Sequence, residues 1–338
     1  KLDLEPLTEE GVEGIYLYVA SPRTGTSANS EFVDILLLNG SSDAYPNGPN
    51  YYLKIGKDYI LQKLPYTPQS EVLPTPEPTP TPTSAPTPES PISSTSLFKP
   101  SLDERYEVSS EEAVIYGTGQ TLDGDQIELL LDLTVPDTGT EGPRPLLIHI
   151  HGGGFERGSR WTQWDAAKRG WVTASIDYRL AGDEPLPGPR VQKLFDAVGG
   201  ESSSAVNRSF VASIEDTLVA LDYLLSRADE LNIDTDRIVL KGESAGAFTA
   251  LALAYCADEF EFSGPTIAAV IDFSGGISTM CGEGAAIDPG EAAVFVVHGT
   301  AESSFNRALS IVDGATAAGI TYEFHPLEGV GHDWLLGM

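Results

Sequence analysis

The sequence is poor in basic residues and contains no long hydrophobic run. It has 20 Lys plus Arg against 50 Asp plus Glu, which gives a formal net charge of -30. A chain this acidic repels polyanions, which argues against nucleic acid or an anionic membrane surface as the main partner. No apolar run reaches the ~18–20 residues that a transmembrane helix needs, so we expect no membrane span.

Cysteine is also scarce, because Cys256 and Cys281 are the only two in the chain. They could form one disulfide if the protein is extracytoplasmic. Two small, buried, apolar side chains are an equally good interpretation. The chain begins at Lys1 with neither a Met start nor a signal peptide, which predicts a processed or trimmed form.

Residues 1–64 are predicted to form a small β-rich accessory unit. Apolar, strand-like runs cover residues 15–19 and 32–38, and Asn-Gly turn signals follow them. Tyr51, Tyr52 and Tyr59 could line a face that binds carbohydrate or another surface, although such tyrosines are more often half-buried strand residues. This unit carries no catalytic constellation.

Residues 65–96 are predicted to be a linker rich in Pro and Thr. Proline alternates with Thr or Glu from Pro74 to Pro82, and proline lacks the backbone donor that helices and sheets need. The segment is therefore expected to be an extended spacer of ~3 Å per residue. It resembles the spacers between modules of secreted carbohydrate-active enzymes, so we predict a secreted or otherwise extracytoplasmic protein.

From residue 97 onward, strands alternate with helices, which predicts an α/β domain over residues 97–338. Such alternation is typical of a mostly parallel sheet with helices on both faces, whose chemistry lies at the carboxyl ends of the strands. The predicted strands cover residues 126–135, 146–150, 172–176, 237–240, 267–273, 292–297 and 320–324, and the predicted helices cover residues 213–228, 245–254 and 308–318.

The most informative segment is Gly-x-Ser-x-Gly, which runs from Gly242 to Gly246 between a predicted strand and a predicted helix. A sharp strand-to-helix turn strains the backbone of its middle residue and holds the Ser244 hydroxyl at the tip. The two glycines leave room for neighbouring segments to pass close by.

Further motifs follow other predicted strands. They are His-Gly-Gly-Gly-Phe at 151–155, Asp-Tyr-Arg-Leu at 177–180, His-Gly-Thr-Ala-Glu at 298–302 and Gly-His-Asp at 331–333. Together with the serine turn, and in this order, they resemble the α/β-hydrolase family, and within it the esterases and lipases with an HGGG oxyanion loop. The resemblance covers about residues 100–338 and implies the α/β-hydrolase fold.

The resemblance implies a serine nucleophile, an acid and a base in the order Ser244, Glu302, His332. The family more often has Asp at the acid position, and Glu is longer by one methylene. Asp272 is the alternative acid, whereas Asp333 is adjacent to His332 and points the wrong way for most geometries.

His332 is selected as the base because it lies in a Gly-flanked loop after the last strand. An imidazole pKa near 6.5 suits general-base work at neutral pH. His151 is expected to brace the glycine loop. The other three histidines, His149, His298 and His325, lie in or at the ends of predicted strands.

The resemblance also implies that the backbone of Gly153, Gly154 and Ala245 forms the oxyanion hole. No P-loop Lys or dinucleotide fingerprint accompanies the three glycines, so phosphate binding is the weaker alternative. No metal or organic cofactor is implied. Asp177 and Arg179 are predicted to be a structural ion pair.

Two segments depart from related esterases. Residues 181–212 form a long insertion, predicted to be loop with one short helix at 191–198, and such an insertion is often a pocket wall or lid. The chain also ends six residues after His332 (338 − 332), where a terminal helix normally follows. A truncated or unusually short C-terminus is therefore expected.

These patterns predict a serine hydrolase that acts on a small-molecule or polymer ester. Short or aromatic acyl groups are expected, with acetyl or feruloyl esters on plant polysaccharide favoured and synthetic polyester as a side substrate. The alternatives are a serine peptidase on small peptides and a non-catalytic binding module with a vestigial hydrolase fold.

Overall fold

The computed structural model describes residues 17–22, 59–64, 100–137, 142–332 and 334. Backbone contacts divide the chain into two units, residues 1–90 and 91–338. In the first unit, β1 (Leu17–Pro22) pairs antiparallel with β2 (Tyr59–Leu64). The run at 32–38 and the linker lie outside the described residues. Tyr51 and Tyr52 also lie outside them, so the carbohydrate-binding face and the domain bounds stay predictions.

The second unit is built on a nine-stranded sheet with strand order β11-β10-β9-β8-β5-β6-β4-β3-β7. The strands from β6 to β11 in this order pair in parallel, and β4, β3 and β7 continue the sheet antiparallel at one edge. The predicted α/β class with a mostly parallel sheet is confirmed. The strands are β3 (Val108–Thr121), β4 (Gln126–Pro136), β5 (Arg144–Ile150), β6 (Val172–Ile176), β7 (Pro185–Leu186), β8 (Ile233–Glu243), β9 (Ala269–Phe273), β10 (Ala293–Gly299) and β11 (Tyr322–Leu327).

Helices pack on both faces of this sheet. Lys241 and Gly242 are neighbours on β8, so their Cβ directions are opposite. A Cβ on Gly242 would overlap the backbone of Ala247 in α5, whereas the charge of Asp165 in α1 acts on Lys241. Helices α1 and α5 therefore lie on opposite faces. The α-helices are α1 (Trp164–Lys168), α2 (Gln192–Ala197), α3 (Ala205–Ser226), α4 (Ala228–Leu231), α5 (Ala245–Tyr255) and α6 (Phe305–Ala318).

The core runs through the central strands. Every residue of β5 is buried, and so is every residue of β6. Strands covered on both faces become near-continuous apolar runs, as in the segment that ends at Ile150. Ile148 and Leu240 are fully buried partners in adjacent strands. Each stabilises the fold by about 1.5–3 kcal/mol relative to exposure.

Strand β3 was not predicted from the sequence. Its residues are mostly polar and exposed, and the register shifts twice, between Glu111 and Val114 and between Ile115 and Gly117. These irregularities destroy the two-residue alternation by which a strand is recognised.

The helix predicted at 213–228 begins at Ala205 instead. The Ser204 side chain accepts a hydrogen bond from the Asn207 N–H at 3.2 Å and caps this earlier start. The inserted segment is therefore shorter than predicted and ends at residue 204. It contains α2, which confirms the short helix predicted at 191–198, and its role as a lid or pocket wall stays a prediction.

The predicted ion pair between Asp177 and Arg179 is wrong. Arg179 is buried and bonds Asp216 at 2.6 Å and Glu215 at 2.6 Å. Asp177 instead binds Arg160, accepting from its backbone N–H at 2.7 Å. Burial alone would lower the pKa of Arg179, but the two carboxylates outweigh it and raise that pKa. Both residues are structural, with different partners.

Among the described residues, each helix is too short or too polar to span a bilayer.

Cys256 and Cys281 form a disulfide, which decides between the two interpretations of the sequence. Their Cα atoms are 5.5 Å apart, and the residues are 25 positions apart in the chain. Both are buried. The bond joins the residue after α5 to the loop that follows β9, so it links the helix behind Ser244 to the neighbouring strand connection.

Replacing both cysteines by alanine should lower the free energy of unfolding by about 3 kcal/mol, because the disulfide closes a loop of this length in the unfolded chain. Urea denaturation of the variant and the wild type measures the difference. Wild-type protein in reducing agent is the matched comparison and should lose a similar amount. Equal midpoints with and without reductant would contradict a stabilising disulfide.

Candidate active site

Ser244 stands at the junction of β8 and α5 in a strained conformation. Its φ is 48° and its ψ is -113°, which only a well-supported backbone maintains in a non-glycine residue. The support comes from close packing. The Ser244 N–H donates to the Phe273 carbonyl at 2.8 Å, and a Cβ at Gly246 would overlap the carbonyl oxygen of Ile150. The Gly-x-Ser-x-Gly spacing therefore meets a steric requirement at this turn.

Three side chains are hydrogen bonded in series at this position. His332 Nε2 lies 2.9 Å from Ser244 Oγ, and His332 Nδ1 lies 2.6 Å from Glu302 Oε2. The structure thus brings together the three residues that the sequence ranked as nucleophile, base and acid. Such a series can transfer the serine proton to an imidazole whose second nitrogen is held by a carboxylate.

The Glu302 carboxylate is buried and held by several donors. Its Oε1 accepts from Ser274 Oγ at 2.6 Å, from the Gly299 N–H at 3.0 Å and from Trp334 Nε1 at 3.1 Å. Burial alone would raise the pKa of Glu302, but the hydrogen bonds from Ser274, His332 and Gly299 outweigh it and lower that pKa to about 2. Glu302 is therefore ionised at neutral pH.

His298 also contacts this carboxylate. Its Nε2 lies 3.3 Å from Glu302 Oε2 and 3.2 Å from Ser304 Oγ. Burial lowers the pKa of His298, against the attraction of Glu302, so the imidazole is neutral at neutral pH. His298 is thus a neighbour of Glu302. The sequence showed only that His298 lies at the end of a strand.

The glycine loop passes directly beside the serine turn. A Cβ at Gly152 would lie 2.9 Å from the Glu243 carbonyl oxygen and 3.4 Å from Ser244 Cβ. Gly153 and Gly154 have φ of 109° and 68°, which favours glycine. Within the described part of the chain, the N–H groups of Gly153, Gly154 and Ala245 have no acceptor. They are available to an anionic oxygen near Ser244.

His151 braces this loop as expected. Its ring stacks on Tyr178 with centroids 4.3 Å apart, and its Nδ1 lies 2.7 Å from the Gly152 carbonyl oxygen. Tyr178 in turn donates its hydroxyl to the His151 carbonyl at 3.1 Å. Burial lowers the pKa of His151, which keeps the brace uncharged.

Glu243, the residue before Ser244, belongs to a second group of polar side chains. Glu243 bonds His149 Nε2 at 3.2 Å and lies 3.6 Å from Lys241 Nζ. Burial lowers the pKa of His149 to about 4 despite the bond to Glu243. The Trp161 ring covers His149 at 4.0 Å. This imidazole is thus a satisfied core histidine.

Asp272, the alternative acid, has a different setting. It is fully buried, and its Oδ1 accepts from the Gly275 N–H at 2.8 Å. Among the described residues its Oδ2 has no partner. Burial, and to a smaller extent the charge of Glu302, raise the pKa of Asp272 to about 7 against the hydrogen bond from Gly275. The Nδ1 of His332 bonds Glu302 and not Asp272, while Asp333 lies outside the described residues.

Ser274 and Trp334 were missed by reasoning from sequence. Ser274 follows directly on β9, at the carboxyl edge where polar residues carry chemistry, and this position was a usable signal. Trp334 lies two residues after His332, but nothing in the sequence shows that its indole returns to the acid.

No cluster of His, Cys, Asp and Glu suited to a metal ion occurs among the described residues.

Part of the chain is similar to a known protein family and to known esterases. Residues 131–198 and 191–282 match the family model BD-FAE. The carboxylesterase NlhH of Mycobacterium tuberculosis is 30% identical over 118 residues, which is 33% of this chain and 30% of that protein. Over residues 131–282, which is less than half of its 338 residues, the chain is therefore similar to the BD-FAE family.

Two further proteins are similar to this chain. The probable N-octanoylanthranilate hydrolase AqdA2 of Rhodococcus erythropolis is 28% identical over 144 residues, 41% of this chain and 28% of that protein. The esterase Est2 of Thermogutta terrifontis, solved with butyrate, is 21% identical, covers 66% of this chain and 84% of its own, and has a TM-score of 0.49. The alignments span between 6% and 34% of the curated relatives' own lengths.

Asp272→Asn should change the pH dependence of stability. The pKa of Asp272 is 3.8 in the unfolded chain and about 7 in the folded one. Protonation of Asp272 therefore contributes fully to the stability of the fold below pH 3.8. That contribution is lost as the pH rises through about 7. The variant should therefore gain stability relative to wild type over this range, as measured by urea unfolding at several pH values. Asp123→Asn, at an exposed position, is the matched control. Parallel curves for Asp272→Asn and wild type would contradict a buried, protonated acid.

Proposed function

We propose that this chain is a serine carboxylic-ester hydrolase in which Ser244 is the nucleophile, His332 the general base and Glu302 the acid that orients it. The observation that supports this most is the hydrogen-bonded series from Ser244 to Glu302, at a strained turn beside a glycine loop with available N–H groups. The carboxylesterase among its relatives agrees with this class of reaction.

In the acylation half of the reaction, Ser244 Oγ attacks the ester carbonyl carbon while His332 Nε2 takes the serine proton. The resulting oxyanion is stabilised by the N–H groups of Gly153, Gly154 and Ala245. Collapse of this intermediate breaks the bond to the alcohol, which leaves with the proton from His332.

Deacylation repeats these steps with water. His332 removes a proton from the water, whose oxygen attacks the acyl carbon, and Ser244 regains its proton as the acid leaves. Glu302 stabilises the imidazolium formed in each half. Because its pKa is about 2, the carboxylate stays ionised wherever a histidine base operates.

The proposed substrates are neutral esters with short or aromatic acyl groups, including acetyl or feruloyl esters carried on polysaccharide, with polyester as a side substrate. The net charge of -30 disfavours anionic polymers. The Pro/Thr-rich segment at 65–96 supports a tethered, polymer-directed enzyme. The N-terminal unit would then bind carbohydrate or another surface.

We also propose that the protein is extracytoplasmic. The Cys256–Cys281 disulfide supports this, because such bonds persist in oxidising compartments. The denaturation experiment with reductant also tests this proposal. If the reduced protein were as stable as the oxidised one, the disulfide would no longer support an extracytoplasmic location.

Ser244→Ala should abolish nearly all ester turnover, and Glu302→Gln should lower it by several orders of magnitude, because loss of either group disables proton transfer from the nucleophile. Turnover of p-nitrophenyl acetate by folded proteins measures both effects. Asp272→Asn is the matched acid-to-amide control and should retain most of the activity. If Asp272→Asn were inactive and Glu302→Gln active, the acid would be misassigned. A folded Ser244→Ala protein with normal turnover would refute the whole assignment.

A panel of p-nitrophenyl esters of graded acyl length, beside an aminoacyl p-nitroanilide, tests the substrate class. We expect the highest kcat/KM on short acyl esters and little cleavage of the anilide, since an amide is the harder bond to break. Preference for the anilide would support the peptidase alternative. Inactivity on the whole panel, and on feruloyl and acetyl polysaccharide, would support a non-catalytic binding module.

A further inference from the structure

We propose that Ser274 and Trp334 are positioning residues that fix the orientation of the Glu302 carboxylate. This inference rests on the proposed function, because it assigns their effect on turnover to the acid. Neither residue contacts Ser244 or His332 through a hydrogen bond in the described structure, so any influence on the reaction passes through Glu302.

The two oxygens of Glu302 have separate tasks. Oε2 faces the imidazole of His332 at 2.6 Å. Oε1 faces away from it and accepts from Ser274 Oγ at 2.6 Å and from Trp334 Nε1 at 3.1 Å. Trp334 Nε1 also donates to Ser274 Oγ at 3.0 Å. The three groups therefore form a closed triangle that fixes the rotation of the carboxylate.

Ser274 reaches this position through an unusual backbone. Its φ is 56°, which is costly for a serine. The conformation is supported on both sides, because the Ser274 N–H donates to the Val297 carbonyl at 2.9 Å and the next N–H, of Gly275, donates to Asp272 at 2.8 Å. The turn after β9 thus directs the Ser274 hydroxyl at the carboxylate. Strain retained next to a reacting group indicates a functional constraint.

Trp334 connects the acid to the loop of the base. It lies two residues after His332, and its ring meets Phe273 edge-on with centroids 5.8 Å apart. The same indole therefore anchors the His332 loop to the sheet and donates to Glu302. By holding the loop, Trp334 keeps the distance between His332 and Glu302 constant.

A glutamate needs this support more than an aspartate would. It has one more rotatable bond, so more orientations must be excluded to keep Oε2 on the imidazole. Misplacement of about 1 Å can cost on the order of a hundredfold in rate. The donors on Oε1 are the means by which this chain uses the longer acid.

The first test is Trp334→Phe, which keeps an aromatic ring against Phe273 but removes the N–H. We expect kcat on p-nitrophenyl acetate to fall about tenfold, the loss of one hydrogen bond to a charged group, with KM within about twofold. Trp164→Phe is the matched control. It removes an indole donor to Ser110 Oγ at 3.2 Å, away from Glu302, and should leave kcat and KM unchanged. A raised KM at constant kcat for Trp334→Phe would show a substrate contact and overturn the inference.

The second test asks whether the effect passes through the acid. Ser274→Gly removes the hydroxyl while tolerating the positive φ, and it too should lower kcat. In a Glu302→Gln background, neither Ser274→Gly nor Trp334→Phe should lower the residual rate more than about twofold, because residues that act as a unit are non-additive. The same loss in both backgrounds would overturn the inference. Failure of the proposed function is distinguishable, because it would leave Ser244→Ala active.

Discussion

The close packing around Ser244 is the constraint on which the rest of the domain depends. Strand β8 must turn into α5 without a spare residue, and the turn is surrounded by the glycine loop after β5 and by the end of β9. The order of strands in the sheet is what brings these segments to one place, because β5 and β9 are the two neighbours of β8. Both neighbours support the positive-φ backbone at Ser244, β9 through the Phe273 carbonyl and β5 through the close approach of Ile150 to Gly246.

The carboxylate of Glu302 imposes the second requirement. A buried charge without partners would cost several kcal/mol, and this one is compensated by hydroxyl, backbone and indole donors as well as by His332. Its neighbour Asp272 has the same charge type but one acceptor bond, so it accommodates burial by taking up a proton. Between pH about 2 and about 7, the two acids at adjacent strand ends therefore have opposite ionisation states.

Much of the fold and of the candidate site could be predicted from the sequence, and each failure has a physical cause. Strand β6 was placed at its observed residues because five consecutive buried positions leave a short run of small and β-branched residues without a charge. The Ser244 turn was recognisable because sterics demand glycine at fixed spacing. Strand β3 was not, since an exposed strand with two register shifts obeys no simple period. Asp177 and Arg179 were wrongly paired because sequence proximity says nothing about which way side chains point. The donors on Glu302 were unpredictable because they meet only in the folded chain.

The disulfide gives α5 a property beyond added stability. Ser244 precedes the first residue of this helix and Cys256 follows its last, so the covalent bond lies one helix length, about 16 Å, from the nucleophile. Without the disulfide, the Cys256 end of the helix could shift, and the whole helix axis would tilt with it. Cys256 is bonded to the segment after β9, which also carries Ser274 and so supports Glu302. Loss of this bond would therefore change the tilt of α5 and with it the orientation of Ser244, although no residue near the nucleophile is altered.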